Sequence, residues 1–148
     1  MSRLTVPIYR VELVREGRQE VVSRSVSSPE EAATIFREYI GNRDREVFAV
    51  MALSTQNRVL GIHTVSIGTL ENTQVHPREL YKSILLLNAA SIIVAHNHPS
   101  GSVEPSHEDR LVTARIREAG KLLGIDVQDH IIIGEGVLYC SLRERGML

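Results

Sequence analysis

Apolar and polar positions along this chain change period several times, and each change predicts an element. Ile8 to Arg24 holds two apolar-rich, β-leaning segments broken at Glu16-Gly17, which predicts a hairpin. Ser28-Pro29-Glu30-Glu31 then starts a helix: Ser28 caps, Pro29 suits the first helical position and Glu31 completes a capping box. Ala32, Ile35, Phe36 and Tyr39 or Ile40 form its apolar stripe, and Gly41 ends it. Glu46 opens the continuous apolar strand Val47 to Leu53, and Gln56-Asn57 turns the chain into a second strand, Val59 to Ile67. A polar connector, Thr69 to Val75, leads to a helix begun by His76-Pro77-Arg78-Glu79, with Leu80, Ile84 and Leu87 as its stripe. Ser91 to Ala95 reads as a buried strand. A further helix is expected from about His107 to Leu123, with Leu111, Val112, Ile116, Ala119 and Leu123 inward and Gly124 as its stop. Val127 to Ile133, a Gly134-Glu135-Gly136 turn and Val137 to Leu142 close the chain as two strands. Alternating strands and helices with hairpins at both ends predict an α/β fold, a mixed sheet covered by helices. Residues 1–27 are expected as an N-terminal β-hairpin extension and residues 28–148 as one globular domain.

Composition narrows the class. A chain of 148 residues suffices for one domain with a real core. The formal net charge of −1 gives no bulk electrostatic case for nucleic acid or an anionic membrane. Arg3, Arg10, Arg15, Arg18 and Arg24 are interleaved with Glu12, Glu16 and Glu20, as on a solvated hairpin face, with a binding patch as the alternative. Cys140 is the only cysteine, so no disulfide can form within the chain; it is expected to fill core in a protein of a reducing compartment. Met1 to Pro7 holds no apolar run long enough for a signal peptide, and no later stretch could span a bilayer, so a soluble cytoplasmic protein is expected.

The chemistry gathers around His96-Asn97-His98-Pro99, with Ser106 and Asp109 beyond it. Extended residues i and i+2 point the same way, so His96 and His98 leave the strand end on one side. Pro99 and Gly101 turn the chain, and Ser106 and Asp109 fall where the next helix begins. Two imidazoles and a carboxylate would leave one position of a tetrahedral Zn²⁺ open for water, the mark of a catalytic rather than a structural site. Other divalent ions also suit such a set. Ser106 and Asp109 read equally as a helix cap with an acidic first turn, and a fixed cap would aim Asp109. A hydrolytic site needs a base, and Glu46, Glu71, Glu79 and Glu104 lie near apolar elements. Glu46, at the mouth of the most apolar strand, is the first choice; a surface acid paired with Arg43 or Arg45 is the alternative.

These residues resemble the JAMM (MPN+) metallopeptidases, and His96-Asn97-His98-Pro99-Ser100-Gly101 is similar to the RadC branch. Gly68-Thr69-Leu70, Val75-His76-Pro77-Arg78-Glu79, Pro105-Ser106 and Asp129-His130-Ile131-Ile132-Ile133-Gly134 carry the likeness further, from about Ser27 to the C-terminus. The resemblance implies the JAB/MPN fold, a curved mixed sheet with flanking helices laid out like the cytidine deaminases. It implies His96, His98 and Asp109 as zinc ligands, Glu46 as the residue that polarises water and shuttles its proton, and Ser106 as the hydroxyl that stabilises the oxyanion. Active members cut peptide or isopeptide bonds, including ubiquitin-like linkages. RadC-like proteins often carry a helix-hairpin-helix segment ahead of this domain; here a short hairpin precedes it, which suggests a stand-alone catalytic module. Asn97 stands where eukaryotic deubiquitinating members carry Ser or Thr, which leaves the substrate class open. A metal-dependent nuclease or DNA-repair accessory and a non-catalytic MPN-type scaffold are the competing readings, and exposed edge strands could mediate a homodimer. Of the other histidines, His76 reads as a cap or loop residue, His63 as half-buried packing and His107 as solvent-facing. Asp129 and His130 could bond to each other and support the site, while Asn97 and Ser100 could orient substrate or the motif loop.

Overall fold

The computed structural model describes residues 2–68 and 75–148. In chain order they form α1 (Pro29–Ile40), β1 (Glu46–Leu53), β2 (Val59–Gly68), α2 (Pro77–Leu86), β3 (Ser91–Asn97), α3 (His107–Leu123), β4 (Asp126–Ile133) and β5 (Tyr139–Ser141). The strands make one mixed sheet in the order β2-β1-β3-β4-β5, with β3 and β4 parallel and every other pair antiparallel. This is the α/β arrangement of the JAB/MPN fold. The expected connector Thr69 to Val75, with Glu71 in it, lies outside the described residues except for Val75. No helix among the described residues is long and apolar enough to cross a membrane.

Both faces of the sheet are covered, which is why β1 and β3 are buried throughout and their apolar runs, Val47 to Leu53 and Ile92 to Ala95, do not alternate. Val47, Ala49, Met51, Leu53, Ile93, Ala95 and Ile131 pack against α1 through Ala32, Ile35, Phe36 and Ile40. On the other face Phe48, Val50, Ala52, Ile92 and Val94 meet Leu80 and Ile84 of α2 and Ile116 of α3. Helix α1 starts as its sequence dictates: the Ser28 side chain accepts from the Glu31 backbone N–H, and Pro29 sits in the first turn. Cys140 is buried beside Ile132 and Leu142.

Two expectations are corrected. No strand forms in residues 2–24, where two apolar-rich, β-leaning segments predicted a hairpin; Ser25 alone makes an antiparallel bridge, to Arg58. Leu4, Val6, Ile8, Tyr9 and Val11 stay exposed, so neither segment has a surface to bury its apolar side against, and an isolated two-stranded hairpin is marginal. The second correction concerns α3. Val112, Ile116 and Ala119 pack inward as expected, but Asp109, Thr113 and Gly120 are buried too, while Leu111 and Leu123 are about half exposed. Gly120 explains the close approach: a β-carbon there would lie 2.6 Å from the Tyr81 hydroxyl and against the Ile125 carbonyl. The helix thus turns two polar side chains inward, over the C-terminal end of β3.

Candidate metal centre

Two strand positions, Glu46 and His96, the residue just past the end of β3, His98, and one helix turn build the site. Phe48 pairs with His96 across β1 and β3, so Glu46, Phe48, His96 and His98 project from the same face of the sheet. Val94 pairs with His130 across β3 and β4, which puts His130 on that face too. The Phe48 ring stacks on His96 with centroids 5.9 Å apart and meets His130 edge-on, closing the apolar side. Gly101, at φ +86°, turns the motif loop, and its N–H donates to the His98 carbonyl.

Asp109 arrives from the first turn of α3, held by the expected cap. The Asp109 N–H donates to Ser106 Oγ at 3.0 Å, and the Ser106 N–H donates to Asp109 Oδ2 at 2.8 Å. His96 Nε2 then lies 3.2 Å from Asp109 Oδ1, 3.0 Å from His98 Nε2 and 3.7 Å from Glu46 Oε1. His98 Nε2 is 3.2 Å from Asp109 Oδ2. Ligand atoms about 2.1 Å from a tetrahedral ion would be separated by about 3.4 Å, close to these spacings. All four side chains are buried. His98 Nδ1 donates to the Ser102 carbonyl at 2.9 Å; because a carbonyl only accepts, that bond leaves His98 Nε2 bare in the neutral ring. The structure thus brings together His96, His98, Asp109 and Glu46, and puts Ser106 at the cap beneath Asp109.

The electrostatics follow from this convergence. Burial pushes the Glu46 carboxyl above its usual range, with Asp109 adding to the rise and His96 and His98 opposing it. Burial would also raise Asp109, yet its bonds to His96 and His98 hold it well below the ordinary carboxylate range. The bond to Asp109 raises the His98 imidazole despite burial. Glu46 Oε2 is buried without a hydrogen-bond partner among the described residues. Such an atom is costly unless something else satisfies it. A cavity of about 30 Å³ opens beside it, lined by Glu46, Phe48, Val75, Glu108, Asp109, Val112 and His130. Two imidazole nitrogens and a carboxylate converging beside an orphaned glutamate oxygen fit a divalent cation, and His96, His98 and Asp109 could hold one.

The other candidates fall elsewhere. Arg43 donates to the Ile40 carbonyl rather than pairing with Glu46. Glu79 pairs with Lys82 and Glu104 with Arg145, both on the surface. His63 is exposed rather than half-buried, its Nδ1 3.1 Å from Ser83 Oγ. His107 faces solvent, and His76 occupies the N-cap of α2 without a side-chain cap bond.

Sequence reasoning named Asn97 and His130 as supports but not the partners they take. Asn97 does not reach the ligand face; its Oδ1 accepts from the Val47 N–H at 2.7 Å and its Nδ2 donates to the Arg45 carbonyl at 3.0 Å. It therefore grips the backbone on both sides of Glu46. The side chains of Asp129 and His130 do not bond to each other; Asp129 Oδ1 accepts the His130 backbone N–H instead. The His130 ring reaches His96, with 2.7 Å between His130 Nε2 and His96 Nδ1, and Thr113, with 2.6 Å between His130 Nδ1 and Thr113 Oγ1. No local pattern announces these contacts, since they depend on the registers of β1 with β3 and of β3 with β4 and on where α3 packs.

The family model described as the RadC-like JAB domain matches residues 26–147. A UPF0758 protein of Rubrobacter xylanophilus is 52% identical over 123 residues, which cover 83% of this chain and 53% of that protein. A UPF0758 protein of Moorella thermoacetica is 46% identical over 139 residues, covering 93% and 60%. One from Methanosarcina barkeri is 47% identical over 129 residues, covering 87% and 56%. The chain thus spans little more than half the length of these curated relatives.

Proposed function

The chain belongs to the RadC-like JAB domain family, and from that premise we propose that it is a zinc-dependent hydrolase of the JAMM type, cleaving peptide or isopeptide bonds. The observation that carries this reading is the convergence of His96 Nε2, His98 Nε2 and Asp109 beside the unpartnered Glu46 Oε2. A structural zinc site would be closed by a fourth protein ligand, whereas this set leaves room for water. When bound, the cation would supply Lewis acidity and lower the pKa of a water toward about 7.

The protein's own groups divide the rest of the work. Glu46 accepts the proton of the attacking water at Oε2, the carboxylate atom with no competing donor among the described residues. Its raised pKa makes it a stronger base than a surface glutamate and lets it hold that proton long enough to pass it to the leaving nitrogen. Asn97 fixes the backbone around Glu46, so the base stays aligned with the histidines. Ser106 Oγ spends a lone pair on the Asp109 N–H and keeps its own proton to donate to the developing oxyanion.

The test is a cleavage screen of peptides and isopeptide-linked substrates with zinc-loaded protein, with and without chelator, with Glu46→Gln as control. Chelator-sensitive cleavage is expected, and Glu46→Gln should lower turnover by about 10²–10⁴-fold at unchanged zinc content. Undiminished cleavage by Glu46→Gln removes Glu46 as base. Stoichiometric zinc without cleavage of any substrate supports the scaffold reading instead.

A further inference from the structure

Building on the metal-site reading, we propose that Thr113 and His130 are positioning residues that dictate which nitrogen of His96 carries the proton. The argument is an accounting of protons along one chain of contacts. Thr113 Oγ1 lies 2.7 Å from the Asp109 carbonyl oxygen and 2.6 Å from His130 Nδ1. A carbonyl only accepts, and a hydroxyl has one proton to give, so that proton goes to Asp109. Toward His130 the hydroxyl can then only accept, which puts a proton on His130 Nδ1.

The ring of His130 is completely buried, and no carboxylate is among its hydrogen-bond partners. A second proton would create an unpaired buried cation, so Nε2 carries a lone pair. That lone pair is 2.7 Å from His96 Nδ1 and must accept from it. With its proton on Nδ1, neutral His96 presents a bare Nε2 toward Asp109 and His98. Reversing the chain, with Thr113 donating to His130 and His130 to His96, would place a proton on His96 Nε2, where a metal must bind.

The two ligating rings are therefore set differently. His98 is fixed in one step by the Ser102 carbonyl, and His96 in three steps by the Asp109 carbonyl. Asp109 accordingly offers its carboxylate to the site and, through its backbone, orients a second ligand. Outer hydrogen-bond partners of ligating histidines contribute about 10–100-fold in metal affinity.

The experiment combines ¹⁵N-resolved NMR of the histidine side chains in the metal-free wild type with Zn²⁺ titration against a chromophoric chelator. His96 and His130 are expected to be protonated at Nδ1. Thr113→Val should weaken Zn²⁺ binding by about 10–100-fold, and Thr113→Ser, which restores the hydroxyl, should recover it. A proton on Nε2 of either ring, or wild-type affinity in Thr113→Val, overturns the proposal. Should Thr113→Val fail to fold, the wild-type spectrum and Thr113→Ser still decide it. A wild type that binds no Zn²⁺ overturns the metal reading itself, whatever the tautomers show.

Discussion

Asp129 and His130 are consecutive on β4 and buried, yet they serve polar clusters of opposite character on opposite faces of the sheet. Around Asp129 the bonds close on themselves. Its Oδ1 accepts from the backbone N–H groups of His130 (2.7 Å) and Arg143 (3.0 Å), its Oδ2 accepts from the Ser141 hydroxyl, and Ser141 Oγ accepts from the Glu144 N–H. Around Asp109 they do not close. Two imidazole nitrogens and a carboxylate face one another, alongside a glutamate oxygen that has no partner among the described residues. The two aspartates shift in opposite directions: burial raises Asp129 against the bonds from Ser141 and Arg143, whereas in Asp109 the histidine bonds outweigh burial. A carboxylate ringed by neutral donors stitches chain segments together. One that faces two imidazole nitrogens able to turn their lone pairs toward it could share a cation with them.

Substitution should separate the two roles. The largest effect is expected from Asp109→Ala, which should reduce Zn²⁺ affinity by more than about 100-fold, since even outer partners of ligands are worth about 10–100-fold. Elemental analysis of the purified variant should find little zinc, with the helical and strand signal of circular dichroism intact. Full zinc content would remove Asp109 from the ligand set and collapse the contrast. Asp129→Ala should do the reverse. It leaves the buried His130 N–H, the partly buried Arg143 N–H and the Ser141 hydroxyl without their acceptor, costing about 2–4 kcal/mol in denaturant unfolding, while Zn²⁺ affinity stays at the wild-type level.

Metal removal sharpens the same distinction. A ligand present at 100 times its Kd stabilises the folded state by about 2.7 kcal/mol. Chelation should therefore lower the unfolding midpoint of zinc-loaded wild type, by roughly 2–4 °C per kcal/mol for a chain of this size. Asp129→Ala should show the same chelator response from a lower starting point, and Asp109→Ala almost none.

What the sequence discloses depends on how local the physics is. Helix α1 is legible because cap, proline and apolar stripe lie within a dozen residues. His-x-His is legible because strand periodicity alone puts both rings on one side. Helix α3 is read with part of its stripe, since Val112, Ile116 and Ala119 pack inward, but Asp109 and Thr113, which look like surface residues, are buried while Leu111 and Leu123 are about half exposed. The N-terminal hairpin is misread because β-leaning composition shows a segment's capacity to pair and says nothing of whether a partner surface exists. The grip of Asn97 on Arg45 and Val47, and the ring of His130 on His96, join residues 34 to 52 positions apart. Only the sheet register, which the sequence does not state, brings them together.

The smallest expected effect tests whether the Asp129 cluster is closed, because a closed cluster should lose little when one of several bonds is removed. Ser141→Ala takes away the hydroxyl that donates to Asp129 Oδ2 and accepts from the Glu144 N–H. The backbone donors of His130 and Arg143 still reach Oδ1, so the carboxylate keeps two partners. The loss should be about 1–2 kcal/mol, the value of one or two hydrogen bonds, measured as a shift in the urea midpoint at constant slope. Zn²⁺ affinity should not move, because Asp129 faces away from the His130 ring. A weakened zinc site in Ser141→Ala would mean that strain passes through β4 from one cluster to the other, and the two faces would have to be treated as one unit.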